Sequence, residues 1–376
     1  MNEIENYDSE SSESEDDEEI YDGPLNKDGE KHGRGTLYFD KEKKNKFQGR
    51  FINGVKEGKG SFYFSDGSSL SGNFVNDSLE GRGLYLYDDG SLMVGTYKQG
   101  ELNGYSEEYD SDAMLTFAGN YKENVRTGVC HFFMQHGGRL FGVVNKSGQL
   151  TGKDVIYVYP DEKTYLKGKF DDGELESACE AEYDGIGDKN NPYSYRKIPN
   201  AVEIIKDAES SMSISSHPMQ PDCYEVKRVC VKKSNIKDAN EGLFSLIKEA
   251  PDQVMSFYNG IKITHAEVDG RDWKYNDNTI SLNDELVIDV PTPWCDTSHY
   301  CATLGHKANH SFEPNCKYDR FNHPRFGEIK CIRTIKEVYP GDELTVAYGY
   351  DHEKLDSEAP YWYREKLKIW LSNNNT

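Results

Sequence analysis

The sequence predicts a mainly β protein that begins as a row of antiparallel hairpins, continues as a second fold of short strands and ends in one helix. Three observations predict this. Glycines recur every 23 to 25 residues in the first half, and short alternating apolar runs follow from about residue 222. The stretch after Pro360 instead spaces Trp362, Leu367 and Trp370 near one helical face. A chain of this length can hold two or three domains.

Residues 1–26 form an acidic segment with eleven Asp or Glu, four Ser and no Lys or Arg. Such a composition cannot bury a core, so we predict that the segment is disordered. The whole chain carries a net charge of −22, which disfavours direct nucleic-acid binding and favours a basic peptide or protein as partner. The sequence has neither a membrane-length apolar run nor a signal-peptide pattern, so we predict a soluble intracellular protein without stable membrane association.

Eight cysteines occur, and none forms a Cys-x-x-Cys pair or a zinc-finger spacing. Free thiols in a reducing compartment are therefore expected, and no metal site is predicted. Cys316 lies beside His310 in the sequence, but no further ligands follow at a workable spacing.

Residues 27–175 contain about six successive sequence repeats. Each unit has two short alternating runs joined by an Asp-Gly or Gly-Gly pair, as at Asp66-Gly67, which is a strong hairpin signal. One hairpin cannot bury its aromatic face alone, so we predict that the hairpins stack into an antiparallel array. From residue 31 to residue 175 the pattern resembles MORN repeats. A spacer or docking surface is favoured over a lipid site, because a lipid site would carry more Lys and Arg on one face.

Residues 176–221 lose this repeat. The stretches 184–192 and 210–216 are rich in turn-forming residues and are typical of loops. We therefore predict a linker at 176–221, a second domain at 222–350 and a closing helical segment at 351–376. On this interpretation, a fragment that starts at about residue 222 would fold alone.

Two stretches near the C-terminal end predict the function. Residues 305–316 read GHKANHSFEPNC, a polar loop, and residues 341–350 read GDELTVAYGY, a strand of period two after a turn. Together they resemble the paired signature of SET-domain protein-lysine methyltransferases, in which the loop and the strand cross to build one site. The predicted fold is then a MORN hairpin array followed by a SET-domain β-fold with a C-terminal helix.

The resemblance implies specific site residues. The catalytic group would comprise Tyr348, His310, Tyr258 and Tyr318. The residues implied to bind S-adenosylmethionine are Ala239, Asn240, Glu241, Asn309, His310, Trp362 and Lys366. The residues implied to bind the substrate are Tyr258, Asp269, Thr279, Tyr318, Lys330, Tyr348 and Tyr350.

Two of the implied positions differ from the family pattern. The family often has glycine where Asn240 stands, and Asn is the non-glycine residue that best tolerates a left-handed backbone. Lys366 stands where the relatives carry an acidic residue. The family also often closes its site with a zinc-bound cysteine cluster, and here the aromatic helix would take that role.

The chemistry explains why tyrosines would gather at this site. The methyl acceptor must be an unprotonated amine, yet a lysine has a reference pKa of about 10.4. An apolar channel and the positive sulfonium of the cofactor both lower that pKa. Tyrosines exclude water and still offer hydroxyls that orient the nitrogen. Transfer is an in-line displacement, so catalysis is mostly alignment, and His310 is not needed as a general base.

The sequence therefore predicts an enzyme that moves one methyl group from S-adenosylmethionine to a lysine of the histone H3 tail and of non-histone proteins. In the family, a tyrosine rather than a phenylalanine at the position of Tyr318 implies that each lysine receives one methyl group. We expect a monomer in the nucleus and on chromatin, with a cytoplasmic pool. The alternative is a non-catalytic MORN scaffold whose SET domain only binds peptide.

Overall fold

The structure is a computed structural model that describes residues 19–186, 193–205, 221–297, 303–349 and 360–374. Residues 1–18 of the predicted acidic segment, the serine-rich stretch at 210–216 and Tyr350 lie outside these ranges. The chain divides into two compact units. The first comprises residues up to 130 with 146–148, and the second comprises residues 131–145 and those from 149 onward.

In the first unit, nine strands pair with their neighbours in sequence order, and all the pairings are antiparallel. They are β1 (Ile20–Asp22), β2 (Gly33–Tyr38), β3 (Lys46–Ile52), β4 (Val55–Tyr63), β5 (Ser69–Val75), β6 (Ser78–Leu86), β7 (Leu92–Lys98), β8 (Glu101–Tyr109) and β9 (Leu115–Lys122). A further strand, β10 (Val125–Phe133), crosses residue 130. The predicted hairpin array and the mainly β fold class are confirmed.

Local turn chemistry and stacking together account for this array. Asn53 and Gly54, between β3 and β4, have φ values of 49° and 90°, as a two-residue hairpin turn of the tightest kind requires. Phe47, Phe51 and Phe74 are buried in one cluster to which successive strands contribute. Each hairpin therefore covers the apolar face of its neighbour, which is why the repeats need one another.

The second unit starts with strands of the same kind, of which β11 to β15 pair consecutively and β16 pairs with β14. Strand β14 runs through the beginning of the stretch for which the sequence predicted a linker. Ala178, Cys179 and Ala181 are buried there, and such small residues continue a sheet without the glycine repeat. The strands are β11 (Arg139–Val143), β12 (Gly152–Val158), β13 (Tyr165–Asp171), β14 (Glu174–Ile186), β15 (Tyr193–Lys197) and β16 (Ile204–Ile205).

The rest of the second unit forms three small sheets with the strand orders β17-β18-β26-β23, β19-β25-β24 and β20-β22-β21. In the part of the chain that the structure describes, no helix is long and apolar enough to cross a lipid bilayer. The elements are β17 (Val229–Lys233), β18 (Glu241–Ser245), β19 (Val254–Tyr258), β20 (Ile261–Thr264), α1 (His265–Asp269), β21 (Thr279–Ser281), β22 (Leu286–Asp289), β23 (Asn309–His310), β24 (Cys316–His323), β25 (Gly327–Thr334), β26 (Glu343–Val346) and α2 (Tyr361–Asn374).

A buried polar cluster ties the residue after β12 to the end of β24. The Tyr159 hydroxyl donates to Asp222 Oδ2 at 2.5 Å, and His323 Nε2 lies 3.0 Å from the same oxygen. His323 Nδ1 accepts the Arg325 N–H, so Nε2 carries the proton of a neutral ring. Burial disfavours the Asp222 carboxylate, but the bonds from His323 and Tyr159 outweigh it and hold the pKa of Asp222 below its usual value. The strands around Tyr159 therefore share a buried core with the strands beyond residue 222, although the sequence predicted a domain boundary at 176–221.

Candidate active site

Residues 305–316 and residues 341–350, the two signature stretches, meet in the structure, as the family resemblance implies. In a two-residue parallel pairing, Asn309 lies opposite Thr345 and His310 lies opposite Val346. Asn315 ties the loop to the strand, because its amide donates to the Glu343 carbonyl at 2.9 Å and accepts the Thr345 N–H at 2.9 Å. One side chain thus replaces two main-chain partners where the loop turns away.

Asn309 is held by a polar network between β23, β18 and β26. Its amide nitrogen donates to the Glu241 carbonyl at 2.8 Å and to Glu343 Oε1 at 3.1 Å. The Ser234 hydroxyl donates to the same Glu343 oxygen at 2.6 Å. A Cβ on Gly242 would lie 2.3 Å from that oxygen, so a larger residue here would push the Glu343 carboxylate out of this network.

The turn before β18 brings most of the predicted cofactor residues together. Asn240 has a φ of 49°, the left-handed conformation that the sequence analysis associated with this position. The Glu241 carboxylate is half-exposed and pairs with Lys307 Nζ at 2.7 Å. Lys366 Nζ of α2 reaches the Lys237 carbonyl at 3.5 Å, so α2 contacts the turn through a residue that departs from the family pattern. Ala239 caps this turn by donating its N–H to Ile236.

His310 lies among aromatic rings that connect the signature to α2. Its Nδ1 accepts the Tyr348 N–H at 3.2 Å, and the two ring centroids are 5.4 Å apart. The His310 ring also contacts Phe312 at 4.5 Å and Tyr363 at 4.8 Å. Trp362 lies 6.2 Å from His310 and keeps 40% of its surface exposed. The histidine therefore orients Tyr348 and at the same time anchors the helix.

Three of the predicted tyrosines line two adjoining walls. The rings of Tyr258 and Tyr318 meet edge to face at 6.1 Å. Tyr318 and Tyr348 pack against one hydrophobic cluster that includes Ala308 and Cys316. The Tyr258 hydroxyl donates to the Asn278 carbonyl at 2.8 Å, and the Tyr348 hydroxyl donates to Ala308 at 3.1 Å. Each of these hydroxyls has used its single proton, so toward an amine it acts as an acceptor.

The predicted substrate residues are distributed over two sheets. Lys330 of β25 lies directly opposite Tyr258 in the strand register, and burial lowers the pKa of its ammonium. Asp269 is exposed at the end of α1, and Thr279 donates its hydroxyl to the Asn276 carbonyl at 2.9 Å. The last two belong with the β20-β22-β21 sheet rather than with the strands that carry the tyrosines.

Cys316 is part of the core. It is buried, and burial raises the pKa of its thiol to about 12. Among the described residues, no group of three or more His, Cys, Asp or Glu side chains could hold a metal ion.

Glu225 is a site-supporting residue that the sequence analysis missed. The side chain is fully buried, and its Oε1 accepts the N–H groups of Phe257 and Leu304, both at 2.9 Å, together with the Ser256 hydroxyl. Phe257 precedes Tyr258, and Leu304 leads into the signature loop, so one oxygen joins the two walls. Glu225 lies in a short polar segment that is typical of a protein surface, and nothing in the neighbouring sequence predicts that its side chain is buried.

We expect Glu225 to make stability depend on pH. Burial raises the pKa of this carboxyl to about 8, against 4.5 for an ordinary glutamate, with a smaller contribution from Asp222. Between those values the folded chain binds the extra proton, so the free energy of unfolding falls as the pH rises. Relative to Glu225→Gln, the wild type should lose roughly 1 kcal/mol per pH unit in that window. Denaturant unfolding from pH 5 to pH 8 measures this.

Glu285→Gln is the matched control for that experiment, because Glu285 is exposed. Its difference from the wild type should not change with pH. A Glu225→Gln difference that is equally flat would show that the buried carboxyl does not titrate in this range.

Comparison with known proteins adds two kinds of finding. The MORN-repeat family model matches residues 27–41, 47–69 and 71–92, and a model described as the N-terminal part of histone H3 K4-specific methyltransferase SET7 matches residues 121–186. The chain is also 46% identical over 362 residues to a protein of Halocynthia roretzi named histone-lysine N-methyltransferase SETD7. That alignment covers 94% of this chain and 93% of the relative. It therefore includes the hairpin array and both signature stretches.

Proposed function

The chain belongs to the MORN-repeat, SET-domain histone-lysine methyltransferases, and from this premise we propose that it transfers one methyl group from S-adenosylmethionine to a lysine of the histone H3 tail and of non-histone proteins. The observation that carries the proposal is the crossing of the two signature stretches. It places Asn309 and His310 beside β26, and the His310 ring receives the N–H of Tyr348. This pairing brings together Asn309 and Thr345, which are 36 positions apart in the sequence.

The residues around the crossing fit S-adenosylmethionine. The turn before β18 has a left-handed backbone at Asn240. The half-exposed Glu241 carboxylate, which pairs with Lys307 Nζ, can also face an ammonium, and the partly exposed ring of Trp362 suits a purine. When bound, this cofactor supplies an electrophilic methyl group on a positively charged sulfur. Ala239, Asn240, Asn309, His310 and Lys366 would complete its pocket.

The tyrosines would prepare the lysine substrate. Their rings exclude water from the amine, and desolvation disfavours the ammonium form. The Tyr258 and Tyr348 hydroxyls, which already donate to main-chain carbonyls, accept the amine N–H groups and so direct the nitrogen lone pair away from themselves. The chain's contribution is desolvation and alignment rather than acid–base chemistry.

The net charge of −22 supports a basic peptide as the substrate. We propose a lysine that is preceded by a basic and then a small hydroxyl residue, with Asp269, Thr279 and Lys330 as peptide contacts. Action as a monomer in the nucleus and on chromatin, with a cytoplasmic pool, belongs to the same proposal.

Incubation of the full chain with radiolabelled S-adenosylmethionine and recombinant histones tests this function. We expect label in histone H3 and, by mass spectrometry, a single added methyl group on one lysine. A chain that binds the H3 peptide but transfers no label would instead be a scaffold, and the proposal would fail.

Tyr318→Phe should yield dimethyl-lysine where the wild type stops at monomethyl-lysine. An amine that carries one methyl group needs more room beside the hydroxyls before it can present its lone pair again. The Tyr318 ring stands edge to face against Tyr258, so phenylalanine keeps the wall and removes one hydroxyl. A water held between two tyrosine hydroxyls would lose one of its partners, which weakens its binding by roughly 1 kcal/mol and changes the product ratio several-fold. Mass spectra after exhaustive turnover measure it.

Tyr339→Phe is the control for this change, because Tyr339 is exposed and its hydroxyl bonds to Glu337, outside the predicted site. It should leave the product unchanged. If Tyr318→Phe also gives only monomethyl product, Tyr318 does not border the lysine channel.

A further inference from the structure

Four cations stand in a row on the polar face of the hairpin array. Arg34 of β2 lies opposite Arg50 of β3, and on the following strands Lys59 of β4 lies opposite Asn73. Arg82 of β6 continues the row opposite Thr96. All four cations are exposed. Among the residues that the structure describes, none of the four forms an ion pair.

Unpaired cations in such a row are unexpected in this chain, which carries 66 acidic and 44 basic residues. Some other basic residues on the array do form ion pairs, as Lys56 does with Asp77 at 3.3 Å and Arg126 does with Glu108 at 2.9 Å. Like charges on adjacent strands repel one another. The row is therefore suited to a ligand with several negative charges.

The row is one side of a groove. Beside it runs a second row of short polar side chains, in which Gln48 lies opposite Thr36 and Ser61. Arg34, Lys59 and Arg82 contribute to the lining of a groove of about 1050 Å³ that also includes these residues. Asp22, at the end of β1, lies at its edge. Cations on one side and hydroxyl and amide groups on the other suit an extended acidic peptide.

We propose that this groove binds the acidic segment of residues 1–18 of the same chain. That segment has nine Asp or Glu and no Lys or Arg, so its charge complements the groove. It joins the structure at Glu19, directly before β1, and β1 is the strand whose end borders the groove. The docked segment would also shield the groove from other acidic ligands.

The geometry permits this docking within one molecule. Four strand spacings separate Arg34 from Arg82, a span of about 19 Å. Eighteen residues reach up to roughly 60 Å when extended. The segment can therefore turn back at β1 and cover the whole row without leaving its own array.

Carbodiimide cross-linking of the full chain, read by mass spectrometry, tests the proposal. This reagent joins a lysine amine to an Asp or Glu carboxylate as an amide, and Lys59 is the reporter inside the groove. We expect Lys59 to couple to residues 1–18 at low salt. In the variant Arg34→Gln/Arg50→Gln/Arg82→Gln, which keeps Lys59, the yield should fall at least about 5-fold, as it should at about 0.5 M salt.

A second triple variant controls for net charge. Lys98, Lys122 and Lys153 are exposed and lie outside the groove, so Lys98→Gln/Lys122→Gln/Lys153→Gln removes three positive charges as well. Its Lys59 coupling should match the wild type. Equal losses in both variants would overturn the proposal, because they would report only the overall charge.

Two further outcomes would also overturn the proposal. Lys43 and Lys44 in the loop before β3, and Lys46 at the start of β3, lie close to β1. Coupling to these lysines without Lys59 would mean that the segment stays outside the groove. The second outcome is docking onto another molecule, which cross-linking of a mixture of isotopically light and heavy chains detects. Links between light and heavy chains would place the segment on a second molecule.

Discussion

Replacing His310 by alanine is expected to lower methyl transfer about 100-fold or more, because this one side chain carries two functions. Its Nδ1 accepts the Tyr348 N–H, and its ring contacts Phe312 and Tyr363. Alanine leaves the Tyr348 backbone without that acceptor and opens the interface with α2. A displacement of about 1 Å in an aligning group is enough to cost a factor of about 100. Initial rates on an H3 peptide measure the loss, and calorimetric titration with S-adenosylmethionine measures the accompanying loss of affinity.

His310→Asn separates the two functions, since the asparagine carbonyl can still accept the Tyr348 N–H whereas the ring is lost. We expect it to recover part of the turnover of the alanine variant but not the cofactor affinity. His32→Ala is the matched control, because the exposed His32 also accepts a backbone N–H, that of Asn53. A folded His310→Ala enzyme with rates close to the wild type would remove His310 from the site.

A fragment of residues 222–376 is expected to lose cooperative folding, whereas a fragment of residues 131–376 should fold and methylate short peptides. Tyr159 lies stacked on Tyr224 at 4.9 Å with an interplanar angle of 7°, and both rings are buried. The shorter fragment exposes that face and removes the hydroxyl that donates to the buried Asp222. It also removes Asp161, the ion-pair partner of the buried Arg228. Losses of this kind cost roughly 3 kcal/mol or more in total, a large part of the stability of a small domain.

Thermal unfolding followed by circular dichroism, together with peptide methylation, distinguishes the two fragments. Tyr159→Ala in the full chain provides a test without truncation and should lower the melting temperature. Its matched control is Tyr105→Ala, because Tyr105 is 53% exposed. A cooperative, active 222–376 fragment would show that the last hairpins are dispensable, as the sequence analysis had assumed.

Several features were predictable because their cause is local. Asp-Gly pairs predicted hairpin turns, and Gly67 of the Asp66-Gly67 pair has a φ of 100°. The tighter two-residue turn at Asn53 and Gly54 was not among the pairs named from the sequence. The loop and strand of the signature were likewise predicted from their turn residues and their period of two. The linker at 176–221 was inferred from the loss of glycines, but β14 continues the sheet with small buried residues. The loss of the glycine repeat is therefore a weaker reason to predict a domain boundary than the loss of alternating apolar residues would be.

The sequence by itself determined the hairpin array and the two signature stretches, because each of these depends on neighbouring residues, and the candidate site residues followed from the family resemblance. Only the tertiary structure decided which distant groups meet. The oxygen of Glu225 that joins Phe257 to Leu304, and the bonds of Asp222 to Tyr159 and His323, connect positions that share no sequence pattern. The row of cations on the array likewise depends on the register between strands. Burial and register are properties of the packed chain, and they set both the cost of an unpaired charge and the choice of its partner.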